Sequence, residues 1–157
     1  MKRKMALDVG DKTIGVAVSD PLGITAQGLM TIERVGIKKD TTKVVDLIRE
    51  QDCDTVVIGL PLNLNGSDSV QTEKVREFRE RLENKLRSNS LADVRVDWQD
   101  ERFTTVMAED VLIAAGVRRE DRKKTVDRQA AQIILQSWLD RQANLAAAAA
   151  QTAEENA

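Results

Sequence analysis

Three β-rich runs follow one another at the start of the chain, separated only by short turn-forming segments, and this succession restricts the fold more than any other feature. Residues 4–9 form an apolar run, Gly10-Asp11-Lys12-Thr13 has the composition of a turn, and residues 14–19 form a second run. Together they predict a β-hairpin. Asp20-Pro21-Leu22-Gly23 supplies another turn, after which residues 24–32 read as a third strand. Connections this short make an antiparallel meander, because a parallel pair needs a crossover of about a dozen residues or more.

Beyond the meander the pattern changes. Val44, Val45, Leu47 and Ile48 recur at helical spacing within residues 38–50, and Thr55-Val56-Val57-Ile58 is a continuous apolar strand. Such continuity predicts burial on both faces. The loop from Gly59 to Gly66 leads to a helix whose start is signalled by Asp68 with Gln71 three residues on, and whose stripe is Val75, Phe78, Leu82 and Leu86. Residues 94–98 are a fifth strand, residues 104–115 a helix, and a basic connection then leads to a last helix from about residue 126 through 139. An α/β domain follows, with a five-stranded mixed sheet, three strands antiparallel and two parallel, flanked by helices. At 157 residues the chain makes one domain, taken as residues 1–142. Residues 143–157 form an alanine-rich tail that extends the last helix or is disordered, and they receive no functional role.

Composition removes several classes of activity. The chain has no histidine and one cysteine, Cys53. Ser-His-Asp and Cys-His mechanisms, histidine-ligated metals, cysteine zinc sites and internal disulfides are therefore excluded. Catalysis has to rest on carboxylates, lysine, hydroxyls or a metal with oxygen ligands. No apolar run approaches the roughly 18 residues of a membrane span, and Asp8 interrupts the apolar stretch behind Met1-Lys2-Arg3-Lys4 too early for a signal peptide. A cytoplasmic protein is expected. The net charge of -2 argues against a uniformly basic nucleic-acid binder, so any such role depends on local clusters.

Three acids stand out. Asp8 breaks the run Met5-Ala6-Leu7 and Val9 on an expected central strand, where an uncompensated carboxylate is costly and a bound cation would offset it. Alternatively it ends the strand and accepts turn amides. Glu101, in Asp100-Glu101-Arg102-Phe103-Thr104-Thr105, follows the fifth strand, a place where α/β sheets hold ligands; it also fits an acidic helix start. Asp127 precedes Ala130, Ala131, Ile134 and Trp138 at spacings that put it on the sheet-facing stripe, yet it also suits a first helical turn capped by Thr125. If the three converge, they demand hard divalent cations, magnesium or manganese, and two such ions suit an in-line phosphodiester displacement. Arg118, Arg119, Arg122, Lys123 and Lys124, with Arg128 just beyond Asp127, form a basic run that either steers a phosphate backbone or is a solvated segment. The loop from Gly59 to Ser69 either offers amides to a phosphate or simply joins a strand to a helix.

Read together, the run from Leu7 to Pro21, then Ile58-Gly59-Leu60-Pro61-Leu62-Asn63 with Gly66, then Asp100 to Thr105, then Lys123-Lys124 and Val126-Asp127 with Ala130-Ala131 and Ile134-Leu135, resembles the YqgF/RuvX family over residues 5–140. That resemblance implies a ribonuclease H-like fold related to Holliday junction resolvases. It implies Asp8, Glu101 and Asp127 as catalytic metal ligands; the cation expected there is Mg2+ or Mn2+, and Lys12, Arg102 and the basic run are expected on the nucleic acid. It further implies a nuclease acting in 5′-end maturation of pre-16S ribosomal RNA, with junction resolution in DNA recombination as the alternative; two symmetric cuts in a junction would call for a homodimer. Two readings from other classes stay open: an ATP-dependent phosphotransferase, whose paired lobes this chain is too short to supply, and a non-catalytic RNA-binding module of ribosome assembly.

Overall fold

The computed structural model describes residues 2–63, 65–100 and 119–155, with residues 119–128 described as backbone. Its strands are β1 (Arg3–Val9), β2 (Thr13–Ser19), β3 (Ala26–Glu33), β4 (Cys53–Leu60) and β5 (Arg95–Asp100). Its helices are α1 (Ile37–Glu50), α2 (Val70–Ser88) and α3 (Arg119–Glu155). The sheet order is β3-β2-β1-β4-β5. β1 is antiparallel to β2, with Met5 opposite Val18 and Val9 opposite Ile14, and β2 is antiparallel to β3. β4 is parallel to β1, with Leu7 beside Ile58, and β5 is parallel to β4, with Val57 beside Asp97. The tight turns force the antiparallel pairs, whereas α1 and α2 supply the crossovers that parallel pairing requires.

Alternation along the strands builds two cores. Met5, Leu7, Val9, Ile14, Val16, Val56 and Ile58 face α1 and α2, where they meet Val44, Ile48, Val75, Phe78 and Leu82. On the opposite face Ala6, Ala17 and Val57 meet Ala131, Ile134, Leu135, Trp138 and Leu139 of α3. Large side chains alternate with alanine on β1 and β2, so two helices pack over bulky residues on one face while α3 settles close to the sheet on the other. The two-sided burial expected of residues 55–58 is observed, since all four are buried. Trp138 is 3% exposed and its indole Nε1–H donates to Asp97 Oδ2 at 2.9 Å, which ties α3 to the sheet edge.

Some boundaries depart from the sequence expectation. β3 starts at Ala26 because the Ile24 and Thr25 amides donate to Asp20 Oδ1, at 2.7 and 3.0 Å, and so belong to the turn. Ser69 and Thr72 cap α2, in place of Asp68 and Gln71: the Ser69 amide donates to Thr72 Oγ1 at 2.7 Å, and Asp68 pairs instead with Arg76. α3 is described from Arg119 onward, so residues 119–124 of the basic stretch expected as a connection are helical and Thr125 lies inside the helix, not at its cap. No glycine or proline interrupts residues 119–142, so a dense run of charge there is compatible with a helix. The helix continues to Glu155, with residues 143–155 exposed. The helix expected over residues 104–115 lies outside the described residues. Among those described, no helix is long and apolar enough to cross a membrane.

Candidate active site at the carboxyl end of the sheet

Asp8 is half-buried on the central strand. Because Ala6 packs against α3, Asp8, two residues on, projects from the same face. Its antiparallel partner on β2 is Gly15, and one step beyond the Leu7–Ile58 pair its neighbour on β4 is Gly59. Gly59 in turn pairs with Gln99 of β5. Gly15, Asp8, Gly59 and Gln99 thus form one row across four strands. The two glycines add no side chain on either side of the carboxylate.

The turn after Asp8 is held from two directions. Its own closure is the Gly10 amide donating to the Thr13 carbonyl at 2.9 Å, and a Cβ at Gly10 would stand 3.0 Å from that oxygen. From the end of β3, Arg34 Nη1 donates to the Gly10 carbonyl at 2.8 Å, while the Arg34 amide donates to the Lys12 carbonyl at 2.9 Å. Arg34 is itself fixed by Asp40 of α1, whose Oδ2 lies 3.0 Å from Nε and whose Oδ1 accepts the Val35 amide at 3.0 Å. Asp40 is 1% exposed, and the guanidinium also lies 5.5 Å from the centre of the Phe78 ring. From α2, Gln71 Nε2 and Lys74 Nζ donate to Asp11 at 2.9 and 3.2 Å, and these bonds hold that carboxyl below its usual range. Lys12 stands exposed on the turn. Sequence analysis did not single out Arg34 or Asp40. The available signal was an aspartate one turn ahead of the apolar Val44 on the helix stripe.

Asp127 lies on the α3 backbone, and its side chain is outside the described residues. Gln136 of the same helix reaches the start of β3, accepting from the Ala26 amide at 2.9 Å and donating to the Ile24 carbonyl at 3.0 Å. Ala26 pairs with Ser19, whose hydroxyl oxygen accepts the Lys4 amide, so Gln136 marks the amino end of β1. Residue 127 precedes Gln136 by nine positions, a helical rise of about 13.5 Å. Asp8 follows Lys4 by four, a strand rise of about 13 Å. The two rises are of similar length. Glu101, Arg102 and Arg118 lie outside the described residues. Arg119, Arg122, Lys123, Lys124 and Arg128 share the α3 backbone, their side chains likewise undescribed.

Among the described residues of the loop after β4, amides are engaged internally: Leu62 with the Leu60 carbonyl, Asn63 with the Ser67 carbonyl, Gly66 with the Asn63 carbonyl, and Ser67 with Asn65 Oδ1. This leaves the loop less suited to cradle a phosphate than its composition suggested. Among the described residues no three His, Cys, Asp or Glu side chains are grouped to hold a metal. Of the three expected acids, only Asp8 has a described side chain. Beside it in the row, Gln99 Oε1 is a buried oxygen with no hydrogen-bond partner among the described residues. A carboxylate and an orphaned carboxamide oxygen are hard donors, the kind magnesium and manganese take.

Comparison with known proteins agrees with the fold. The RuvX family, described as Holliday junction resolvase, matches residues 2–141. A "Putative pre-16S rRNA nuclease" of Desulforamulus reducens is 48% identical over 138 residues, which is 88% of this chain and 96% of the relative. Relatives of the same name from Clostridioides difficile and Heliobacterium modesticaldum are 49% and 46% identical, over 88% and 92% of this chain and 94% and 93% of their own. Among solved structures, the yeast mitochondrial Holliday junction resolvase Ydc2 aligns with a TM-score of 0.60 at 13% identity, covering 92% of this chain and 80% of that one. Thermus thermophilus RuvC in complex with Holliday junction substrate aligns at 0.56 and 12%, covering 90% and 96%. At such identities the structural likeness concerns the fold, which is the ribonuclease H-like arrangement of RuvC-like resolvases.

Proposed function

The chain belongs to the RuvX family, and from that premise we propose that it is a metal-dependent nuclease hydrolysing phosphodiester bonds in 5′-end processing of pre-16S ribosomal RNA. The observation that carries this reading is similarity, over nearly their whole length, to relatives bearing the pre-16S rRNA nuclease name. Asp8 on the central strand, at the carboxyl ends of β1, β4 and β5, is consistent with it.

In this reading Asp8, Glu101 and Asp127 hold the cation. When bound, magnesium or manganese supplies charge neutralisation, polarises the phosphoryl oxygens and eases loss of a proton from water. Asp8 keeps its carboxylate at a set position because β1 is paired on both sides and the turn behind it is braced by Arg34. Exposed Lys12 offers a point charge to a phosphate. Arg102, Arg118, Arg119, Arg122, Lys123, Lys124 and Arg128 extend the electrostatic path for the strand, so binding weakens with salt. The place of action is the cytoplasm.

The test is a side-by-side assay on a pre-16S 5′ leader and a four-way DNA junction in magnesium, with wild type and with each acid changed to its amide. Wild type is expected to cut the RNA leader. Asp8→Asn is expected to lose at least about a hundredfold in rate, since metal-derived stabilisation of several kcal/mol corresponds to more than two factors of ten. Wild-type rates in Asp8→Asn would remove the mechanism. The family's description favours a second reading, resolution of four-way junctions. It requires two symmetric cuts, hence a two-fold dimer, and cleavage of the junction alone would select it.

A further inference from the structure

We propose that Gln99 is a neutral oxygen donor to the divalent cation of this site, reaching across the gap above Gly59 toward Asp8; the proposal rests on the metal-dependent reading above. Gln99 shares its sheet face with Asp97, which is fixed on the α3 side by its bond from Trp138. It therefore projects on the face that carries Ala6 and Asp8. Two strand spacings separate the Asp8 and Gln99 backbones, roughly 9.6 Å. A pair of magnesium–oxygen bonds takes up about 4.2 Å of that span. The remainder is well within the combined reach of an aspartate and a glutamine side chain leaning toward each other. Gly59 stands between them, and any larger residue there would put its side chain into the path.

The hydrogen-bond inventory of β5 points the same way. Asp97, two residues back on the same face, has its carboxylate met by the Trp138 indole, the Trp98 amide and Arg95. Gln99 Oε1 is buried yet receives no hydrogen among the described residues. A buried acceptor without a donor is destabilising, and natural structures seldom keep one without a task. Coordination to a cation satisfies it. A carboxamide oxygen also adds a ligand without adding negative charge to a site already holding carboxylates, as Asn and Gln do in oxygen-ligated cation sites.

The experiment is calorimetric titration with Mn2+, alongside metal-free thermal melts, of wild type, Gln99→Leu, Gln99→Glu and Asp8→Asn. Gln99→Leu is expected to bind Mn2+ about tenfold more weakly, the low end of what perturbed ligand shells lose. Without metal it is expected to melt at or above the wild-type temperature, because the orphaned acceptor is gone. Gln99→Glu is expected to bind at least as tightly as wild type, and it carries the test if the leucine variant does not fold. Unchanged Mn2+ affinity in folded Gln99→Leu, with Asp8→Asn losing it, would overturn the role of Gln99 and leave the metal site standing. Wild-type affinity in Asp8→Asn would overturn both.

Discussion

Replacing Asp40 by alanine tests how the turn behind Asp8 is held. The carboxylate is 1% exposed, 3.0 Å from Arg34 Nε, and accepts the Val35 amide at 3.0 Å. Removing one member of a buried ion pair costs about 3–5 kcal/mol, because the other charge is left without compensation. Here the Arg34 side chain is 19% exposed, so water recovers part of that loss and a lower figure of about 3 kcal/mol is appropriate. For a chain of this length each kcal/mol moves the melting temperature by about 2–4 °C, so Asp40→Ala is expected to melt about 6–12 °C lower. Asp40→Asn keeps an acceptor for Val35 and should lose less. The double variant Arg34→Met with Asp40→Leu removes both charges and should recover much of the stability, since apolar replacements of a buried pair are often neutral or better. Thermal melts and urea titrations of the four proteins read all of this. A melting temperature for Asp40→Ala within about 2 °C of wild type would refute the bracing role.

Two further outcomes are expected. Trp138→Phe keeps an aromatic ring in the α3 core but loses the bond to Asp97, at a cost of about 1 kcal/mol near neutral pH in urea unfolding. Burial of Asp97 opposes ionisation, yet the bonds from Trp138 and from the Trp98 amide leave its carboxyl below the usual range. Its stabilising contribution is therefore present above the unfolded carboxyl pKa of about 3.9 and fades as pH falls through the lower folded value. The gap between Trp138→Phe and wild type should narrow on acidification across that window, and a pH-independent gap would count against the bond. Burial pushes the Cys53 thiol up to about 12, against about 8.5 when unfolded. Its contribution is thus complete below about pH 8.5 and declines as pH rises toward the folded value. Wild type should lose more stability than Cys53→Ala between pH 8 and pH 10, and parallel losses would show that the thiol ionises as readily in the fold.

The sequence by itself determined the parts that depend on neighbours along the chain. Short turns after residues 9 and 19 made the meander antiparallel, alternation of Met5, Leu7 and Val16 with Ala6 and Ala17 prepared two unequal faces, and an aspartate inside an apolar run marked Asp8. Where local signals competed, the sequence misled: Asp68 and Gln71 make as good a capping pattern as Ser69 and Thr72, and the basic stretch at residues 119–124 has no breaker to tell a loop from a helix. Only the tertiary structure decided what depends on register between distant strands. The row of Gly15, Asp8, Gly59 and Gln99 draws on residues up to 91 positions apart, and the Arg34 contact to Gly10 exists because β3 ends beside the first turn. Strand pairing converts a period of two in each segment into shared faces across all of them, and that conversion is invisible until the partners are known.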